Sequence, residues 1–204
     1  MSANLVETVR EDNRTELSRL GSSKSLYADT EGELEPETVL SAAADAAHTA
    51  AATFEGWAGK DVDGAFATAA ESERDHYESI AGELDAHDPG ESPAVVDAVA
   101  GYETAIERLG GVVGWTLVAE KKASQCSGFF TGQADPQTAS LFRGFGDDYE
   151  ATRENAVAAL ERACDDEDED WETATAAASG AVGAAYDEYF ETLEALGVNP
   201  KPVC

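Results

Sequence analysis

The sequence predicts an all-α fold, and three observations carry that prediction. Strand signals are nearly absent, Ala, Leu and Glu recur at helical spacing, and Pro and Gly punctuate the chain between those periodic stretches. With 204 residues, 43% of them apolar, the chain is long enough for one sizeable domain with a real core.

Six helices are expected. The first covers roughly 3–28, with an apolar seam of Val6, Val9, Leu17, Leu20 and Tyr27. The second, 36–58, opens on Glu35-Pro36, which puts proline in the first turn. The third, 62–86, carries the seam Phe66, Ala70, Tyr77, Ile80 and Leu84, and His87 follows it, where a histidine complements the helix dipole. The fourth, 93–130, is capped by Ser92 before Pro93 and bears Val95, Val99, Tyr102, Ile106, Leu109, Val113 and Leu117 at steps of three or four. Within it, Gly110-Gly111 either bends the helix or lets another helix approach closely. The fifth, 136–164, is capped by Asp135 before Pro136 and has a seam of Phe142, Phe145, Tyr149, Thr152, Ala156 and Leu160.

The sixth helix, 169–196, keeps an uninterrupted seam from Trp171 through Thr175, Ala178, Val182, Ala185, Tyr189 and Leu193 to Leu196. It packs against the bundle or against a second copy of the chain in a homodimer. The loops DTEGEL, AHDPGES and CDDEDED are short and acidic, and no linker divides the chain. The organisation is therefore one helical domain over 1–204, with helix pairs at 36–87 and 93–164 flanked by 1–35 and 169–204.

Charge bounds the partners. Against 42 Asp and Glu stand 13 Lys and Arg, a formal charge of −29 dispersed along the whole chain, with only five Lys and two Ile. That composition resembles the proteomes of extreme halophiles, where molar salt shortens the Debye length to about 3 Å and screens self-repulsion. No basic stripe exists to neutralise phosphates, so nucleic acid is not an expected partner. The N-terminus MSANLVETVRED has no apolar core, and the run GGVVGWTLVA is far short of a membrane span. A cytoplasmic protein with no membrane partner is expected. Cys126, Cys164 and Cys204 lack CxxC spacing and suggest neither a disulfide framework nor a zinc knuckle; Cys204 is an expected exposed thiol. No phosphate loop, nucleophile elbow or Cys/His dyad is present.

The chemistry concentrates in AAESERDHYESI, residues 69–80, where Glu73 and His76 share the apolar face of the third helix. A buried carboxylate and imidazole need bonds or a metal to offset desolvation. Sliding the chain by 76 residues lays FEGWAGKDVDGAF over FTGQADPQTASLF and aligns the two helix pairs with their seams in phase. In that register Glu73 falls on Tyr149 and His76 on Thr152. The fourth-helix seam runs on to Glu120, whose counterpart in the second helix is Ala44.

A helix with a seam Glu followed by a helix with Glu-x-x-His, repeated twice, is the plan of ferritin-like di-iron carboxylate bundles. The chain resembles that plan over roughly residues 40–163, and AFATAAESERDHYESI is similar to the second bundle helix of rubrerythrin. The resemblance implies a ferritin-like four-helix bundle with additional N- and C-terminal helices. Its metal ligands would fall on Ala44, Glu73, His76, Glu120, Tyr149 and Thr152, of which three carry a suitable side chain. The second Glu-x-x-His is missing, and so are the paired CxxC motifs of the rubredoxin-like module that delivers electrons in rubrerythrins.

Two readings stay open. In one, Glu73, His76 and Glu120, with Asp45, His48 or Tyr149 near them, hold a single iron or manganese ion used in metal handling or oxidative stress; any enzyme activity would then be a metal-dependent oxidoreduction. In the other, no metal is bound, the polar cluster is a vestige that fixes helix register, and the protein is a non-catalytic interaction or regulatory bundle.

Overall fold

A computed structural model of the chain describes residues 2–60, 64–164 and 168–200. Among these residues all regular structure is helical: α1 (Ser2–Asp12), α2 (Arg14–Leu20), α3 (Ser23–Asp29), α4 (Pro36–Glu55), α5 (Ala65–Ala81), α6 (Ala94–Ala100), α7 (Ala105–Gly132), α8 (Pro136–Ala163) and α9 (Asp168–Ala195), with a 3₁₀ turn at Ala58–Lys60. No helix among them is long and apolar enough to cross a membrane.

The first predicted helix is three. Asn13 breaks it by turning its side-chain amide onto the Val9 carbonyl at 2.8 Å and the Ser179 hydroxyl at 3.0 Å. Ser22 breaks it again by donating to the Arg19 carbonyl at 2.6 Å. Short polar side chains offer the backbone an alternative to the helical ladder, and the apolar seam continues across both positions, so the periodicity does not mark the breaks. The third predicted helix is shorter than expected. It starts after Gly64, whose φ of 79° is costly for other residues, and stops at Gly82, so His87 lies in the following loop and caps nothing.

The fourth predicted helix divides into α6 and α7. Pro93, not Ser92, stands at the cap of α6. At Thr104 a capping box restarts the helix: the Thr104 hydroxyl accepts from the Glu107 N–H at 3.2 Å, and the Glu107 carboxylate accepts from the Thr104 N–H at 2.8 Å. Asp135 caps α8 as expected, accepting from the Thr138 N–H at 3.1 Å.

Helix α7 is the axis of the fold, packed on α8 along one side and on α9 along another, and every residue from Leu109 to Ala119 is buried. Its buried glycines Gly110 and Gly114 are close-approach sites. A Cβ at Gly110 would stand 2.3 Å from the Ala174 carbonyl oxygen and one at Gly114 2.4 Å from that of Ala178, so the α9 backbone sits directly on α7. Tyr102, in the α6–α7 break, wedges beside this contact and donates its hydroxyl to the Ala177 carbonyl at 2.7 Å. The seam of α9 from Ala178 through Val182, Ala185 and Tyr189 to Leu193 is thereby buried within the chain, leaving Leu196 as an exposed apolar residue.

Helices α4 and α5 form the second hairpin, and α5 leans on α8. The repeated landmarks Phe54, Phe66, Phe130 and Phe142 are all buried. The 76-residue register does not carry over to the helix ends, however: α4 ends at Glu55 and α5 starts at Ala65, whereas α7 ends at Gly132 and α8 starts at Pro136. Helix α1 packs on α9 and α8, and α2 and α3 lie across α7 and α9.

Candidate functional site

The inner face of α5 is made slim by Ala65, Ala69 and Ala70, which lets the helix approach its neighbours, and Glu73 and His76 continue that face at the next turns. Both are almost wholly buried, at 1% and 2% exposure. Glu73 Oε1 accepts from the indole Nε1 of Trp115 on α7 at 2.5 Å. Its other oxygen, Oε2, lies 3.5 Å from His76 Nδ1. At the far edge of the imidazole, Nε2 meets Asp148 Oδ2 on α8 at 3.2 Å, and the Asp148 side chain is 57% exposed. The four groups form a polar chain running from the interior to the surface.

Helix α8 supplies the rest of the surroundings, since Phe145, Asp148 and Tyr149 occupy positions i, i+3 and i+4 on one face. The Phe145 ring lies tilted over the imidazole with centroids 4.0 Å apart, and Tyr149 meets it edge-on at 5.0 Å. Burial pulls the His76 pKa down, but the carboxylates of Glu73 and Asp148 outweigh that effect and leave it raised. The raised pKa favours the imidazolium, which has a carboxylate at each edge. Burial, followed by the negative charge of Glu73, pushes the Tyr149 phenol well above its usual range, so it keeps its proton.

The remaining candidates are elsewhere. Glu120, expected to complete the set, lies 3.0 Å from Arg153 Nη1 and 3.5 Å from Arg10 Nη2, with its side chain 30% exposed. The seam that leads to it rotates out of the core after Ala119, and two guanidiniums receive it there. Asp45 accepts from the Gly90 N–H at 2.7 Å and stands 2.9 Å from His87 Nε2, out of line with a directed hydrogen bond, tying the loop after α5 back to α4. His48 meets the Tyr77 ring edge-on at 5.0 Å, and His87 lies on the same ring at 5.7 Å. Of the six named positions the structure gathers Glu73, His76 and Tyr149; Glu120, Asp45 and His48 have other partners.

These residues do not fit a resident iron or manganese ion of the kind the resemblance implies. Glu73 and Asp148 address opposite edges of one imidazole, Tyr149 stays protonated, Glu120 is held by arginines, and among the described residues no group of three His, Cys, Asp or Glu side chains is placed to hold an ion. One detail points the other way: Glu73 Oε2 and His76 Nδ1 are buried without a hydrogen-bond partner and face each other.

Beside the polar chain, a cavity of about 490 Å³ separates α4 from α7, α8 and α9. Its walls include Trp115, Cys126, Phe142, Phe145, Tyr149 and Tyr189, and its rim carries Asp29, Lys122 and Glu188. Lys122 is paired with Asp29. The Cys126 thiol is pushed up to about 12 by burial, which removes it as a nucleophile. Cys204 lies outside the described residues. Sequence reasoning missed Trp115 and Asp148. The first reads as one more packing aromatic, and the second sits next to Tyr149 but just outside the seam.

Comparison of the chain with family models, with curated proteins and with solved structures gave no match.

Proposed function

We propose that this chain is a non-catalytic binding protein built on a ferritin-like plan, in which Glu73 and His76 hold α5 in register against α7 and α8 and the interior cavity is the recognition site. One observation carries the reading: Glu73 Oε1, His76 Nε2 and Glu120 are each engaged by protein groups, while an apolar-walled cavity of about 490 Å³ lies next to the first two. Cavities between the helices of a bundle, apolar with a few polar groups at the rim, are where small molecules are bound.

The second reading is the single iron or manganese ion used in metal handling or oxidative stress. The facing pair Glu73 Oε2 and His76 Nδ1, 3.5 Å apart and without hydrogen-bond partners, favours it. Metal content separates the two. Protein purified in high salt without a chelating tag, then loaded anaerobically with Fe(II) or Mn(II), is expected to retain well under one ion per chain. Near-stoichiometric metal that disappears in a Glu73→Ala, His76→Ala variant would overturn the binding reading. In parallel, a neutral apolar dye such as Nile red is expected to quench Trp115 saturably, and Ala119→Trp, which fills the cavity wall, should abolish that response.

A further inference from the structure

We propose that the pocket between α1–α2 and α7 binds a compact oxyanion of phosphate or polycarboxylate chemistry. It is about 450 Å³ in volume and is lined by Arg10, Arg14 and Lys121 together with Ser18, Ser124 and Glu120. Behind it, the guanidinium of Arg153, 5% exposed, holds Glu120 at 3.0 Å. Three of the chain's 13 basic residues thus line one pocket and a fourth stands behind it, on a protein whose formal charge is −29.

The charge imbalance makes this arrangement informative. Against 42 carboxylates the chain has 13 cations, and ion pairs such as Lys122 with Asp29 and Arg74 with Glu55 engage some of them. Neither Arg14 nor Lys121 has an ion-pair partner among the described residues, as is true of Arg19, Arg108 and Arg143; what sets these two apart is that they line one pocket together with Arg10, which shares the Glu120 carboxylate with Arg153. Glu120 is therefore met by guanidiniums from two sides, and it lines the pocket beside Arg10. A Cβ at Gly21 would lie 3.3 Å from Lys121 Cδ, so glycine there lets the lysine stem run flat beside the end of α2.

The surroundings select the ligand's size. An extended polyanion such as nucleic acid would meet the acidic surface on every side, whereas a compact anion feels the local cations within a Debye length. The hydroxyls of Ser18 and Ser124 on the pocket wall are donors suited to oxygen acceptors, which favours an oxyanion over a halide.

The test uses the full chain in a chloride medium with a zwitterionic buffer. Phosphate and citrate are titrated separately against sodium chloride at matched ionic strength, with calorimetry and the melting temperature as readouts. At least one oxyanion is expected to bind saturably, and the preferred one identifies the chemistry. The double variant Arg14→Gln, Lys121→Gln, at exposed or half-exposed positions without ion-pair partners, should lose at least tenfold in affinity with unchanged helicity. Ser124→Asp should lose a comparable amount by charge repulsion. No saturable response to either anion, or equal affinity in wild type and double variant, overturns the site and leaves an adventitious ion only.

Discussion

The Trp115 indole N–H and the Glu73 carboxylate meet at 2.5 Å across the α5–α7 interface, with both side chains buried. In so dry a place the bond satisfies the indole and half of the carboxylate, and the other half faces a charged imidazole. Glu73→Leu would orphan the indole and leave His76 with one counter-charge, so a loss of about 3–5 kcal/mol is expected. Glu73→Gln keeps an acceptor for Trp115 and should cost about 1–3 kcal/mol. Urea unfolding at fixed high salt, followed by tryptophan emission and circular dichroism, measures both. Equal losses for the two variants would show that the indole bond contributes nothing.

His76 should make stability depend on pH in a definite direction. Its folded pKa is raised above the unfolded value of 6.5, so the folded state holds the proton more tightly. The stabilisation is full below about pH 6.5, declines as pH rises toward the folded pKa and is absent above it. The wild-type unfolding free energy minus that of His76→Gln should therefore shrink with pH above 6.5, by up to about 1.4 kcal/mol per pH unit. A difference that is flat, or that grows with pH, would contradict the carboxylate–imidazolium–carboxylate arrangement.

These two predictions separate what the sequence makes legible from what it hides. Periodicity places Glu73 and His76 on the buried face of α5 because Phe66, Ala70 and Ile80 define that face locally, one helix at a time. Their partners are set by how helices pack, which periodicity does not encode. Asp148 reaches His76 from the rim of the α8 seam, and Trp115 reaches Glu73 from a stretch of α7 buried on all sides, where no polar face exists to orient it. Glu120 shows the opposite case. Its spacing from Leu117 continues the seam on paper, but α1, packed on α9 and α8, brings Arg10 to within 3.5 Å of it. The helix breaks at Asn13, Ser22 and Thr104 depend on side-chain bonds that do not disturb the apolar pattern and so escape it.

The glycines of α7 should respond in opposite directions. Gly110→Ala would force a methyl group to within 2.3 Å of the Ala174 carbonyl, and backbone on both sides leaves α9 no cheap way to yield. A loss of about 1–3 kcal/mol or more is expected. Gly128, in the exposed part of the same helix, has open space where a Cβ would go, so Gly128→Ala should stabilise by about 0.5–1 kcal/mol through propensity alone. Thermal melts of the two variants at one salt concentration check the pair. A neutral Gly110→Ala would mean that α9 does not sit on α7.

Thr104 is expected to decide where α7 begins. Its hydroxyl accepts from the Glu107 N–H at the first turn, and the Glu107 carboxylate accepts from the Thr104 N–H and the Thr104 hydroxyl, which in that order hold the Glu107 carboxyl below its ordinary range. Glu107 therefore contributes above its unfolded pKa, and the contribution fades as pH falls through the lowered value. Thr104→Ala removes the hydroxyl acceptor and should cost about 1 kcal/mol, while Thr104→Ser, which keeps it, should cost a few tenths. The break itself is anchored separately, by Tyr102 donating to the Ala177 carbonyl at 2.7 Å and by Arg108 Nε donating to the Tyr102 carbonyl at 3.0 Å. Amide exchange in Thr104→Ala should accordingly speed up at Ala105–Arg108 and stay unchanged from Val112 onward. Exchange that accelerates along the whole of α7 would show that the cap supports more than its own turn, and exchange that does not change at all would remove the capping box from the account of why α6 and α7 are separate helices.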